Sequence, residues 1–249
     1  MSNSITLTAS MRTNLASLKS IQSQMDITQE RLSTGKKVNS AIDNASSFYQ
    51  ARSLTNRASD LESLLDSMGQ GIQTIEAANE GIEAITAYVE QLKSVADQAY
   101  ALDVNADGYD DALAEYAEQF DKINTEIASL IEDASYQGIN LLADGELKVT
   151  FNESRDNFFT IEGKDVKTEM GIAAATGTWT SATEVDASLT KIAEAKDFLR
   201  SYANELGNNY TIIQTRQDFT DAMIDVLETG ADNLVLADMN EESANYLAL

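Results

Sequence analysis

The sequence predicts a mostly α protein, a long antiparallel helical bundle or coiled-coil rod with a small β-hairpin insert. Three observations carry that prediction. Apolar residues recur at strict seven-residue spacing in several long stretches, which keeps one seam of a helix turned toward a partner helix. The 249 residues include no proline, the residue that most strongly interrupts a helix. A two-residue period occupies one short window, residues 146–172.

Residues 4–32 read as an amphipathic helix with a narrow seam, because Met11, Leu18, Met25 and Leu32 fall seven apart with Leu15 between them. Ser33-Thr34-Gly35 stops it, and residues 36–40 read as an extended connector. Asp43 or Asn44 can cap the next helix. That helix runs from about Ala45 to Ala99, with no breaker stronger than Gly69, Gly71 and Gly81. At about 1.5 Å per residue it would be roughly 80 Å long. Its seam is Leu54, Leu61, Met68, Ile75, Ile82, Val89 and Ala96. The second seam position drifts from Ala58, Leu65 and Ile72 to Ala78, Ile85, Leu92 and Ala99, as a straight helix carrying a seven-residue repeat must.

Asp107-Gly108 builds a turn over residues 103–110. A third helix follows with Leu113, Phe120, Ile123, Ile127, Leu130 and Ala134 on one face, and Gly138 is expected to end it. Leu147, Val149 and Phe151 then alternate with polar residues, as do Phe159 and Ile161, with residues 152–157 as the hairpin loop. Trp179 falls in a Gly/Thr/Ser/Ala-rich stretch read as loop. The last long helix is expected from about Asp186 to Thr229, with Gly230 past its end. Its seam is Ile192, Leu199, Leu206, Ile213 and Leu227, broken at Thr220. Residues 232–249 read as helical again. The chain thus divides into an N-terminal helix and connector (1–44), the first half of a rod (45–140), a small β insert (141–187), the return helix (188–230) and a C-terminal segment (231–249).

The formal net charge is -24, from 41 acidic and 17 basic side chains. Such a surface repels nucleic-acid phosphate and anionic lipid, so neither is an expected partner. No apolar run approaches the roughly 20 residues that span a bilayer, so no membrane insertion is expected. Residues 1–10 show no basic stretch followed by an apolar core, so no cleavable secretory signal is visible. That leaves a cytosolic protein or one exported by another route. Cysteine and histidine are absent, which excludes disulfides, thiolate zinc sites, histidine bases and Ser-His-Asp triads. No enzyme activity and no cofactor are expected.

Several features imitate sites. Asp103, Asn105 and Asp107, followed by Gly108, match the opening of an EF-hand calcium loop, but the twelfth position, which needs a bidentate acid, is Ala114. A helix–helix turn whose aspartates cap the third helix accounts for the same residues, and the metal reading is rejected. Glu76, Glu80, Glu83 and Glu90 would need a Glu-x-x-His partner to hold a di-iron centre, so they read as a solvated acidic face. Phe48 and Tyr49, and Phe158 and Phe159, read as packing residues. The local basic patch, Arg31, Lys36 and Lys37, either meets acidic faces of neighbouring subunits or is a solvated connector.

Residues 31–44, Arg-Leu-Ser-Thr-Gly-Lys-Lys-Val-Asn-Ser-Ala-Ile-Asp-Asn, are similar to the signature R-L-S-S-G-x-x-I-N-S-A-x-D-D/N of the bacterial flagellins. The likeness continues through Met68-Gly69-Gln70-Gly71-Ile72 and Ala77-Ala78-Asn79-Glu80-Gly81. Residues 134–142, Ala-Ser-Tyr-Gln-Gly-Ile-Asn-Leu-Leu, resemble the family's close of its first half, and residues 231–244 resemble its acidic entry into the last helix. The resemblance covers nearly the whole chain apart from the insert.

What it implies is a structural subunit that self-assembles non-covalently into the helical flagellar filament for motility, outside the cell. The partners implied are other flagellin subunits, the flagellar type III export apparatus, an export chaperone and a cap protein. A hook-filament junction adaptor is the alternative, and a carboxylate-based metal-binding or hydrolytic protein the remoter one. By the same resemblance, Met11, Leu15, Leu18, Met25 and Leu32 form an assembly seam whose partner is a terminal helix past the equivalent of Leu249. The chain is expected to be a short form, with the insert in place of a large variable region and no such helix. In flagellins strongly detected by an animal Toll-like receptor, a stretch of the form L-Q-R-V-R-E-L-A supplies the contact. Here residues 89–96 read Val-Glu-Gln-Leu-Lys-Ser-Val-Ala, so Gln91, Lys93 and Ser94 replace two arginines and a glutamate, which implies weak detection.

Overall fold

A computed structural model describes residues 8–249. The expected start of the first helix, residues 4–7, lies outside them. Helix makes up 73% of the described residues, as the seams require. In order come α1 (Ala9–Thr34), α2 (Ala45–Tyr100), α3 (Tyr109–Asp133), β1 (Glu146–Thr150), β2 (Phe158–Glu162), α4 (Val166–Met170), α5 (Ala182–Val235) and α6 (Met239–Ala248). The elements group into two compact units, one of residues up to Asp60 with Ala222–Leu249, the other Leu61–Asp221. Both α2 and α5 contribute to each.

Within the Leu61–Asp221 unit one apolar cluster joins α2 from Met68 to Ala99, α3 from Leu113 to Ile131, the segment from Leu141 to Trp179, and α5 from Val185 to Ile213. The helices α2 and α5 run antiparallel: Gly71 lies beside Ile213, whereas Glu90 pairs with Lys196. Two glycines of α2 decide how the insert reaches the cluster. A Cβ on Gly71 would meet Val149 Cγ2 at 2.8 Å, and one on Gly81 would meet Leu142 Cδ1 at 2.7 Å. Both approaches are closer than a side chain permits, so the missing Cβ is what lets the insert seat on α2.

The insert is a two-stranded antiparallel sheet in the register Leu147 opposite Ile161 and Val149 opposite Phe159. Leu147, Val149 and Ile161 are buried, as the two-residue period predicts. The remainder is held by polar contacts. Trp179 is buried against Phe120 at 4.9 Å between ring centroids, and its indole donates to Ser188 Oγ at 2.9 Å. The Asp121 carboxylate accepts from the backbone N–H groups of Ala175 and Thr176, at 2.6 and 2.9 Å. A chain stretch without periodicity is thereby fixed in the core.

Several boundaries differ from expectation. Asn44 caps α2 through Ser47 N, while Asp43 instead accepts from the backbone N–H groups of Asn39 and Ser40. Gly138 does not end α3, which stops at Asp133; with φ 83° it sits in a tight turn where Tyr136 and Ile139 exchange both backbone bonds. Val166–Met170 is a short helix inside the window read as strand, capped by the Asp165 carboxylate on Thr168 N. Finally α5 starts at Ala182, where Glu184 accepts from Ser181 and Thr180, and it continues through Gly230 to Val235. Gly230 faces Leu54, and a Cβ there would meet Leu54 Cδ1 at an ordinary contact distance of 3.4 Å.

Tyr202 ties α5 to the entry of the insert. It is 1% exposed and donates its hydroxyl to the Leu141 carbonyl at 2.7 Å. Burial pushes the phenol from 10.0 up to about 12. The folded chain therefore holds this proton more tightly than the unfolded chain does. The contribution is complete below pH 10 and is lost as pH rises from 10 to about 12. Urea unfolding should show a fall in this window of order 2 kcal/mol from this group. Tyr202→Phe should remove that share and cost about 1 kcal/mol at pH 7 by deleting one of the two hydrogen bonds that the Leu141 carbonyl accepts, the other coming from Lys164 N at 2.9 Å. An equal fall between pH 7 and 11 in both chains would contradict the assignment.

Candidate assembly interface

The unit formed by residues up to Asp60 and Ala222–Leu249 is built differently. Helix α1 opens with Thr8 Oγ1 accepting from Met11 N at 3.4 Å and closes on Gly35 at φ 71°, whose N–H reaches the Arg31 carbonyl. Beyond it the connector pairs with the end of α5. Lys36 bridges Leu236, Lys37 N donates to the Val235 carbonyl at 2.8 Å, and Ala237 N donates to the Gly35 carbonyl at 2.9 Å. The backbone N–H groups of Ser40 and then Asn39 hold the Asp43 carboxyl below its ordinary range, so Asp43 caps this turn as a carboxylate.

The basic patch is turned onto the chain's own C-terminal segment. Arg31 pairs with Glu242 at 2.8 Å, and Lys37 Nζ donates to the Asn233 carbonyl at 2.8 Å. Helix α6, capped by Asp238 on Asn240 N and Glu241 N, lies against α1, burying Thr28 and Glu242. A polar cleft of about 890 Å³ remains between the connector and α6, lined by Glu30, Asp43, Asp232 and Glu241 among others.

The seam residues of α1 split into two groups. Met25 and Leu32 are half-buried, but Met11, Leu15 and Leu18 are 56%, 45% and 64% exposed. By contrast the rod-core positions Leu61, Met68, Ile72, Ile75, Ile82, Val89, Leu92, Phe120, Ile127, Ile192, Leu199, Leu206, Ile213 and Leu227 are buried, with Leu54, Leu65, Ile123 and Leu130 half-buried. Among the open apolar positions that escaped the sequence reading are two on α5. Ile212 and Phe219, seven apart on α5, are exposed, and the buried Leu206–Ile213 register masked them. Gln91, Lys93 and Ser94 are exposed on α2, with Lys93 paired to Asp97 at 2.9 Å.

At the EF-hand-like turn the Asp103 carboxylate accepts from Asn105 N at 3.0 Å. Among the described residues no group of three or more acidic side chains is placed to hold a metal ion. Among the same residues no helix is long and apolar enough to cross a membrane.

One unit holds a buried apolar cluster and the other, joined to it in sequence, carries a helix whose apolar seam is partly exposed, features of a helical structural protein. Comparison with known proteins gives that class its family. Residues 4–146 match the family model for the bacterial flagellin N-terminal helical region. Over 248 residues the chain is 26% identical to flagellin FljK of Caulobacter vibrioides, spanning 99% of this chain and 89% of that one. Over 266 residues it is 28% identical to a flagellin of Brucella melitensis, spanning 99% and 90%. The crystal structure of Bacillus cereus flagellin shares the fold, with a TM-score of 0.50 at 14% identity over 61% of this chain and 86% of that one. The chain belongs to the bacterial flagellins. It is a structural subunit of the extracellular flagellar filament, a self-assembling polymer and not an enzyme, and neither the junction-adaptor nor the hydrolase reading gains any support.

Proposed function

We propose that this chain leaves the cell unfolded through the flagellar type III apparatus, escorted by an export chaperone and added beneath a cap protein. It then polymerises through the open seam of α1. In this reading residues 1–44 and 231–249 are the assembly segments, 45–140 and 188–230 the rod, and 141–187 stand in place of a variable region. The single observation that carries it is the exposure of Met11, Leu15 and Leu18 on a helix whose periodicity equals that of the buried seams. Burying such a side chain gains about 2 kcal/mol, so a few per subunit, repeated along a polymer, supply a large driving force. Contacts of this kind that do not close on themselves generate an open helical filament.

Leu18→Asp tests it. In the free chain Leu18 is 64% exposed, so the melting temperature should stay within the ordinary range of surface substitutions, about 0.5 kcal/mol. Seeded polymerisation followed by electron microscopy should show no filaments. Normal filaments from the variant would defeat the reading.

The receptor-contact positions support a second proposal, weak detection by the Toll-like receptor. Gln91 and Lys93 cannot reproduce the planar two-bond contacts of arginine, and anchors of that type often hold about 2 kcal/mol. A reporter-cell response should rise when Gln91→Arg, Lys93→Arg and Ser94→Glu are combined; unchanged potency would remove the argument.

A further inference from the structure

The sequence contains two Asp–Gly pairs, and both lie in the same tripeptide, Ala-Asp-Gly, at residues 106–108 and 143–145. An aspartate followed by glycine has a reaction of its own. The backbone nitrogen of the glycine attacks the side-chain carboxyl carbon, a succinimide ring closes, and one water leaves. Glycine favours the step because no Cβ crowds the nitrogen and the backbone turns freely to bring the two atoms together. Water then reopens the ring at either carbonyl. One opening restores aspartate, and the other gives isoaspartate, in which the main chain runs through the former side chain.

The fold places the two tripeptides in opposite surroundings. Asp107 and Gly108 are exposed in the turn between α2 and α3. Their neighbours are engaged: Ala106 N donates to the Asp103 carbonyl at 3.0 Å, and Tyr109 N donates to the Ala106 carbonyl at 3.2 Å. Among the described residues, however, the Asp107 carboxylate has no hydrogen-bond or ion-pair partner, and Gly108 N donates to no group of the chain. At the second tripeptide the glycine is held from both sides. Gly145 N donates to the Asn140 carbonyl at 2.9 Å, and the Gly145 carbonyl accepts from Gly163 N at 2.7 Å. A Cβ on Gly145 would lie 2.5 Å from that Asn140 oxygen, so the backbone there is closely packed. Asp144 is itself exposed, so exposure of the carboxylate does not separate the two sites. The engagement of the glycine nitrogen does. Before attacking, Gly145 N must release its hydrogen bond and turn within a packed segment, a local opening that Gly108 does not need.

We propose that Asp107 is a site of spontaneous covalent modification, converting to isoaspartate in the folded chain, while the fold protects Asp144. One water leaves and one enters over the whole cycle, so the mass is unchanged and the reaction is an isomerisation. It inserts one methylene into the main chain at the turn between α2 and α3 and leaves a carboxylate on the α carbon. That product is the substrate class of an isoaspartyl methyltransferase, which esterifies such a carboxylate with the methyl group of S-adenosylmethionine. The turn that imitates a calcium loop thus carries a chemistry that needs no metal.

The test incubates the full-length chain in warm neutral buffer and samples it over weeks. Each sample is labelled with a purified isoaspartyl methyltransferase and tritiated S-adenosylmethionine, then digested, and the labelled peptides are assigned by mass spectrometry. Label in the Asp107 peptide should accumulate about tenfold faster than in the Asp144 peptide, because the second site must first break a hydrogen bond. In urea, where neither tripeptide is held, the two rates should come within about twofold of each other, since the local sequence is the same. Asp107→Glu should remove the first signal, because the larger ring it would close forms far more slowly, and circular dichroism should be unchanged. Equal rates in the folded chain, no label at Asp107, or a difference that persists undiminished in urea would overturn the inference.

Discussion

The seam of α2 between Met68 and Ala99 must be covered along its length, and the larger unit is arranged to do so. Met68, Ile75, Ile82, Val89 and Ala96 recur every seven residues, and each is 3% exposed or less. A single helix cannot bury them, so α3, α5 and the insert close over it. Gly71 and Gly81 then set how near the insert comes. A larger residue at either would push Val149 or Leu142 outward and open the cluster that Tyr202, Trp179 and Phe120 complete.

A filament subunit must be stable alone and yet incomplete. The two units divide these demands. The unit from Leu61 to Asp221 is internally satisfied, with its apolar cluster buried and its insert pinned by Asp121, Ser188 and the Leu141 carbonyl. The other unit has its connector fixed by backbone pairing and Arg31–Glu242, while three leucine and methionine side chains of α1 face water. Ordered backbone with uncovered apolar residues is the feature on which the proposed assembly through α1 rests. A net charge of -24 opposes the approach of one copy to another over most of the surface.

Much of this was legible in the sequence because period and punctuation are local. The seven-residue repeats marked the long helices, the two-residue period marked β1 and β2, and Gly35 marked the end of α1. What was not legible depended on contacts between distant residues. Gly138 and Gly230 look like helix terminators, but one serves a reverse turn and the other lies inside α5. Nothing near Trp179 signals that Phe120 and Ser188 will bury it. The basic patch at Arg31 and Lys37 was ambiguous because its partners, Glu242 and the Asn233 carbonyl, are two hundred positions away or nearly so. Periodicity also cannot say what covers a seam. Leu18 and Leu199 sit in equivalent patterns, and one is 64% exposed while the other is 1% exposed.

That last contrast is the central claim, and amide hydrogen exchange on the free and assembled chain tests it most directly. The account predicts that α2 from Ile75 to Leu92 is strongly protected in both states, since its seam is closed within the subunit. Amides of α1 from Met11 to Leu18 should exchange rapidly in the free chain and gain protection of about a hundredfold or more in the filament. Equal protection of Met11–Leu18 before and after assembly would contradict it.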